Sequence, residues 1–480
     1  MHIDGDVCLI NNNVGGFMKK FLILFLICCL AVCPLLAMSG CSLSSTPDEI
    51  SKNFENVARG YSVDMKKGGE GDSITFSFGS DKTFNSIVLK EKGDSITNYE
   101  LYVNGEMIYK SDFIGKYKYC SHKTVTADSV TIKVVACEGQ WSIKDFEAYN
   151  IGKTAKENFE VMSYLLVDRA YTLTEESASL MGYTTEFNLF GSVYLDKDGR
   201  LHFQDYLVDG KSVEGKEALR KAAENVRKYN PSAKITYTIL GNLDIMGDGL
   251  DTEDRHSKAM GDNADTLVKE CLDVMEEYGF DGVSFDYEYP YTRKSNQIYG
   301  NFLEKLKAAM PEGKKLSAAL SLWNISGFNG FPVKKLDCLD SIEIMTYDGF
   351  DERGNHSAFY EMCANAIYQL KSKGVDMSKV HLGLPFYSRP ADKAAYWGDY
   401  AQASKKLGKW GNSLVEEINV DGKVYQQVCY YNGRQMIYDK TCYALDIGLG
   451  GVMIWHFSCD TTDSELSLYG AIGDAISARK

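Results

Sequence analysis

Asp281-Gly-Val-Ser-Phe-Asp-Tyr-Glu-Tyr-Pro290 sets three polar side chains in a row on one face of a strand. Side chains alternate across β backbone, so Ser284, Asp286 and Glu288 point one way while Val283, Phe285 and Tyr287 point the other. An apolar face turned to outer helices, with carboxylates gathered toward the strand's end, is the pattern of a parallel barrel. Such barrels keep their chemistry at the carboxyl mouth. A solvated acidic strand end is the plainer reading of the same ten residues. The agreement of several further segments decides against it.

Beyond Asn150 strands alternate with amphipathic helices, the mark of a parallel α/β arrangement. Eight strands are expected, over 160–166, 187–194, 234–240, 282–288, 315–322, 341–348, 381–386 and 451–457. They make a closed (β/α)8 TIM barrel over 158–480. Three apolar stripes mark its outer helices: Leu219, Ala222, Val226 and Tyr229; Leu267, Cys271, Met275 and Tyr278; and Ile298, Phe302, Leu306 and Ala309. Gly279 suits a helix C-cap after the second, and Pro311 stops the third.

Upstream, residues 61–149 follow a period of two. Ile74–Phe78 and Val130–Val134 alternate, and Asn104-Gly105 between Leu101–Val103 and Met107–Tyr109 is a strong hairpin signal. An antiparallel β-sandwich over 57–150, complete enough to fold alone, follows from this pattern, with 42–56 as a short tether. The chain is therefore read as multidomain, with length enough for more than one core. The formal net charge of -14 argues against nucleic acid as a partner, because that role needs a basic footprint.

Residues 1–41 read as a leader. Lys19-Lys20 precede the apolar run 21–37, and Met38-Ser-Gly-Cys41 follows, with Met18 as the natural start of such a signal. Cys41 after Ser-Gly resembles a bacterial lipobox, which implies lipidation of Cys41 and a membrane anchor. An uncleaved membrane span is the other reading of the run. Either places the folded part outside the cytoplasm. Of 13 cysteines, the eight beyond Cys41 are scattered without a C-x-x-C pair, so metal-ligand spacing is absent. They read mainly as small core residues, with Cys120 and Cys137 the pair open to bridging. No metal or organic cofactor is signalled.

Several strand ends carry motifs that resemble glycoside hydrolase family 18, the chitinases and their relatives. Asp281, Gly282, Asp286, Glu288, Tyr289 and Pro290 match D-G-x-D-x-D-x-E-Y-P, whereas Ser284 stands where the family usually has Asp. Met345-Thr-Tyr-Asp348 matches M-x-Y-D, and Gly450–Trp455 matches G-G-V-M-x-W. Gly383–Arg389 is close to G-L-P-x-Y-G-R, and Thr238-Ile-Leu-Gly241 only partly matches S-x-G-G.

The resemblance implies a retaining endo-hydrolase of β-1,4-linked N-acetylglucosamine polymers whose 2-acetamido group serves as the internal nucleophile. It makes Glu288 the proton donor, Asp286 the group that orients the acetamido and offsets the oxazolinium charge, and Tyr347 a donor to the acetamido oxygen. Trp455 is expected beneath the sugar, and Asp348, Met345, Ser284 and Arg389 join the sugar-binding set. Ser284 is expected to donate a hydrogen bond to Asp286 without taking its charge, which alters the pH profile. N-glycan cores and peptidoglycan are alternative substrates, and a non-catalytic glycan-binding lipoprotein is the reading outside enzymes. The stretch 389–435 is longer than a barrel loop needs and is expected to be a short insertion, with Tyr396, Trp397 and Trp410 as either sugar platforms or packing. Residues 84–91 and 141–149 resemble the discoidin, or coagulation-factor type C, jelly roll, a fold read equally as a glycan-binding module or a spacer.

Overall fold

The computed structural model describes residues 48–480 apart from 66, 209, 241–249, 289, 322–330, 391, 393–395 and 421. The leader with Cys41, and Gly241 and Tyr289 of the motifs, lie outside the described residues.

Eight strands form the barrel: β1 (Glu160–Leu166), β2 (Glu186–Leu195), β3 (Lys234–Leu240), β4 (Gly282–Asp286), β5 (Lys315–Ser321), β6 (Ser341–Met345), β7 (Val380–Pro385) and β8 (Gly451–Trp455). Each pairs in parallel with the next, and β8 pairs with β1, closing the ring. Every strand starts within one residue of its expected position. The differences lie at the carboxyl ends, where β4, β6 and β8 stop two or three residues early. A parallel ladder lasts only as long as both neighbours stay extended, and β4 last pairs with β5 at Phe285 and Ala318. On β6 the Thr346 N–H turns back to Ile344 O at 2.8 Å, and its hydroxyl donates to Gly383 O at 2.8 Å. Glu288 and Tyr347-Asp348 thus leave the sheet just where the barrel opens.

The outer helices follow their stripes. Gly215–Tyr229 buries Leu219, Ala222 and Val226, and Ala264–Tyr278 ends at Gly279 with φ 64, the left-handed cap that glycine allows. In Arg293–Ala309 the buried face is Tyr299, Phe302, Leu303 and Leu306. Ala309, expected in that stripe, is exposed on the last turn, where the Met310 N–H closes the helix on Leu306 O before Pro311. The opposite mouth of the barrel is shut by charge. Lys315 Nζ lies 2.6 Å from both Glu160 Oε2 and Glu186 Oε2, and His381 Nε2 lies 2.9 Å from Glu160 Oε2.

Residues 62–149 form one seven-stranded antiparallel sheet rather than two separate sheets. Two long strands, Ser73–Glu91 and Lys118–Cys137, run through both halves, and their pairing breaks register between Ser77 and Lys82 and again between Phe84 and Ser86. Such breaks bend strands without ending them. The sheet folds over its own core, where Phe76 and Phe146 stack at 4.2 Å and Trp141 is fully buried. The Asn104-Gly105 turn has φ 52 and 83, both positive as its hairpin type requires.

This sheet shares a core with the barrel. Val88, Tyr117, Tyr119 and Tyr149 pack with the barrel's outer helices. Asp439 on helix Arg434–Asp446 accepts from Tyr109 Oη at 2.6 Å and from Ser121 N at 2.9 Å. Arg479, 1% exposed, pairs with Asp446 at 2.8 Å and donates to Ser86 Oγ at 3.0 Å. Of the segment expected as a tether, residues 48–50 are packed: Ile50 is buried and Glu49 pairs with Lys371 of the barrel at 2.6 Å. An isolated sheet would expose these apolar and charged groups, so independent folding of 57–150 meets a large desolvated interface. The eight described cysteines are unbridged, and six are buried.

Candidate active site

The carboxyl mouth collects its groups from four strands. Asp286 closes β4 at 8% exposure, and Glu288, two residues on, is half-buried and hydrogen-bonded to it. Burial, followed by the charges of Glu288 and Glu343 and the bond to Glu288, pushes the Asp286 carboxyl well above the usual range. The pair is therefore built to hold one proton between two carboxylates, since close like charges resist double ionisation. Asp286 Oδ1 is buried and has no hydrogen-bond partner among the described residues.

Tyr347 and Met345 turn inward from β6 and pack with Met162, Tyr164, Phe190, Met453 and Trp455. The Tyr347 hydroxyl lies 3.8 Å from Met453 Sδ. Burial, then the charges of Asp286 and Glu288, pushes its phenol well up, so it remains a donor. Trp455, at the end of β8, is half-buried, with Phe190 edge-on at 4.7 Å and Tyr164 at 5.4 Å. Those two rings brace one side of the indole.

Asp348 takes the left-handed conformation, φ 60, uncommon outside glycine. Its carboxylate accepts from the Tyr387 hydroxyl at 2.6 Å, pairs with Arg389 at 3.0 Å and lies 3.1 Å from His356 Nε2. Burial pushes Asp348 up, but His356, Arg389 and Tyr387 together outweigh it and hold the group below the usual carboxylate range. Arg389 also lies over Trp397 at 4.5 Å, and Trp397 stacks on Tyr387 at 4.5 Å. Tyr347, Tyr387 and Trp397 thus line one continuous wall with Trp455, which lies 6.3 Å from Trp397.

Of the aromatic residues offered as platforms, Trp397 stands at the mouth, 37% exposed. Trp410 packs edge-on against Tyr109 of the N-terminal sheet, and Tyr396 is half-buried against the barrel core, so both serve packing. The insertion itself is a helix, Tyr400–Leu407, and a hairpin, Ser413–Val420 with Lys423–Tyr430.

Ser284 departs from its expectation. It is fully buried below Asp286, out of reach of a substrate, and its hydroxyl donates to Glu343 Oε1 at 3.3 Å rather than to Asp286. The reason is the barrel's geometry: Ser284 and Asp286 are two residues apart along one strand, whereas Glu343 comes across from β6 at the same level. Asp281, the first residue of the motif, sits at the strand's start and accepts from Ile235 N at 2.8 Å, a purely structural bond. Glu343, Tyr164, Asn188, His356 and Tyr387 escaped the sequence reading. Glu343 did leave a signal, being the one charged residue inside the apolar run 342–345.

Residues 161–460 match glycosyl hydrolases family 18. The chain belongs to that family. Chitinase 63 of Streptomyces plicatus is 25% identical to the family 18 chain over 326 residues, covering 58% of this chain and 51% of that one. Chitinase A1 of Niallia circulans is 24% identical over 327 residues, covering 55% and 47%. The chain thus spans about half the length of these curated relatives. Among solved structures, the chitinase ChiB from the chitin utilization locus of Flavobacterium johnsoniae superposes with a TM-score of 0.51 at 21% identity, covering 67% of this chain and 94% of that one. A class V chitinase from Nicotiana tobaccum in complex with NAG4 gives 0.51 at 17% identity, covering 67% and 99%. At these identities the structural likeness speaks for the family 18 fold.

Proposed function

We propose that this family 18 protein is a retaining endo-hydrolase of β-1,4-linked N-acetylglucosamine polymers, most like a chitinase, working by substrate-assisted catalysis. The observation that carries the proposal is the hydrogen-bonded Asp286–Glu288 pair at the barrel mouth, with Tyr347 and Trp455 beside it. Glu288 donates its proton to the leaving glycosidic oxygen. The acetamido oxygen attacks the anomeric carbon, the glycosidic bond breaks, and an oxazolinium ion forms. Asp286 accepts from the acetamido N–H and opposes the positive charge of that ion, and Tyr347 donates to the acetamido oxygen. Glu288 then takes a proton from water as it opens the ring. Trp455 offers an apolar face to the sugar, and Asp348, held by Arg389, Tyr387 and His356, fixes its position.

Product analysis after incubation with chitooligosaccharides, a high-mannose glycoprotein and isolated peptidoglycan tests the polymer. Release of N,N′-diacetylchitobiose-type products from the first supports the proposal, and cleavage confined to either of the others replaces the substrate. Failure on all three, with retained glycan binding, favours the lectin-like reading. Lipid anchoring at Cys41 is part of the same proposal and rests on Met38-Ser-Gly-Cys41 after the apolar run. Fatty-acid labelling of the wild type but not of Cys41→Ser supports it; equal labelling of both removes it. The N-terminal sheet, read as a discoidin-like fold, is proposed as a part that stiffens the barrel more than as a detachable glycan module, because buried hydrogen bonds to Asp439, Asp446 and Arg479 join the two.

A further inference from the structure

Glu343 is an acidic side chain at the centre of a barrel with neutral partners. It sits on β6 between Ile342 and Ile344 and is fully buried. Its Oε2 accepts from the Tyr164 hydroxyl of β1 and from Asn188 Nδ2 of β2 at 3.1 Å, and its Oε1 accepts from Ser284 Oγ of β4 at 3.3 Å. The Asn188 amide is itself oriented, because its oxygen accepts from the Thr236 hydroxyl of β3, which leaves the NH2 for Glu343. Three donors from three strands converge on one carboxyl group. The nearby cation, Lys315, is taken by Glu160 and Glu186 at the strand starts.

Burial of an acid among neutral donors is a poor source of stability, since desolvation is costly and no opposite charge repays it. A hydroxyl or amide would satisfy the same donors at lower cost. The position is informative: Ser284 is the residue that departs from the usual acidic motif, and Glu343 meets that serine from the neighbouring side of the barrel. We propose that Glu343 is a positioning residue which supplies, from β6, the inner carboxylate that position 284 lacks, and so keeps one proton on the Asp286–Glu288 pair. The inference rests on the reading of that pair as the reacting one.

The groups that face the pair are Glu343 and Tyr347 from β6, Tyr164 from β1 and Tyr299 from helix Arg293–Ala309. The tyrosines are neutral, so Glu343 is the acid beneath the pair on the substrate-facing half of the barrel. Its charge, after burial and Glu288, contributes to the raised Asp286 carboxyl.

Glu343→Gln removes one negative charge and eases both ionisations of the pair. Both limbs of the bell-shaped kcat/KM profile on a fluorogenic chitobioside should move toward acid by on the order of one pH unit. The swap Ser284→Asp/Glu343→Asn should return both limbs to their wild-type positions. A readout independent of activity follows from linkage. A raised Asp286 carboxyl makes stability full below about pH 4 and lost as pH rises through the folded value. Glu343→Gln should weaken that loss in the melting temperature, and in an Asp286→Asn background the same substitution should no longer do so. Unmoved limbs in Glu343→Gln, or an equal change of slope in both backgrounds, would overturn the proposal. If Glu343→Gln does not fold, the swap decides: wild-type limbs support the proposal, displaced limbs overturn it. A wild type inactive on every substrate sinks the proposed hydrolysis, and the melting-temperature comparison then judges Glu343 alone.

Discussion

Replacing Asp286 by Asn isolates the counter-charge on which the proposed mechanism turns. The substitution keeps the side chain's shape and a hydrogen bond to Glu288, but it removes the negative charge that opposes the oxazolinium ion. Asp286 is 8% exposed, so water screens the interaction weakly. Opposite unit charges ~4 Å apart with an effective dielectric constant of ~20 attract by ~4 kcal/mol. At 1.36 kcal/mol per decade, that is a loss of ~10³ in rate. The loss should fall on kcat more than on KM, because the charge develops after binding. The pH profile should also simplify, because one member of the proton-sharing pair is gone. Steady-state kinetics on a fluorogenic chitobioside, with a thiazoline inhibitor that mimics the bicyclic ion, measures both effects. A loss below ~10-fold with an unchanged bell and unchanged thiazoline affinity would refute the electrostatic role.

Glu288→Gln removes the transferable proton and should lower hydrolysis by ~10²–10⁴, with substrate binding retained by isothermal titration. Tyr347→Phe takes away one donor to the acetamido oxygen, and kinetics on the same substrate should fall by about 10-fold, less than for either carboxylate. Arg479→Met leaves Asp446 buried without its cation and should cost about 3–5 kcal/mol in chemical denaturation, destabilising sheet and barrel together; separate transitions for the two parts would contradict the shared core. Burial pushes Glu91 to about 7 despite its bonds from Ser95 and Ile96 N–H, so its contribution to stability is full below about pH 4.3 and lost as pH rises to about 7. Melting curves of Glu91→Gln across that window should show a smaller fall than the wild type.

By itself the sequence determined the barrel, its eight strand starts and the residues at its mouth. Period-two and helical stripes are local properties, and a strand-end carboxylate such as Glu288 or Asp348 is visible as the polar residue where an apolar run stops. Hairpin chemistry was equally local, with Asn104-Gly105 fixing one turn through positive φ. Tertiary structure decided the partners. Whether Ser284 serves Asp286 or Glu343 depends on how β4 and β6 face each other across the barrel, a stagger that no spacing along the chain encodes. The roles of Trp397 and Trp410, thirteen positions apart, diverge because one lies over the mouth beside Arg389 and the other meets Tyr109 of a distant sheet. Likewise the contacts between the N-terminal sheet and the barrel lie beyond any local pattern, because Arg479 and Ser86 are nearly four hundred residues apart and meet only when both cores are in place. Local patterning sets which face of an element is apolar; the closing of the barrel sets which charged groups are buried together, and the proton between Asp286 and Glu288 depends on the second.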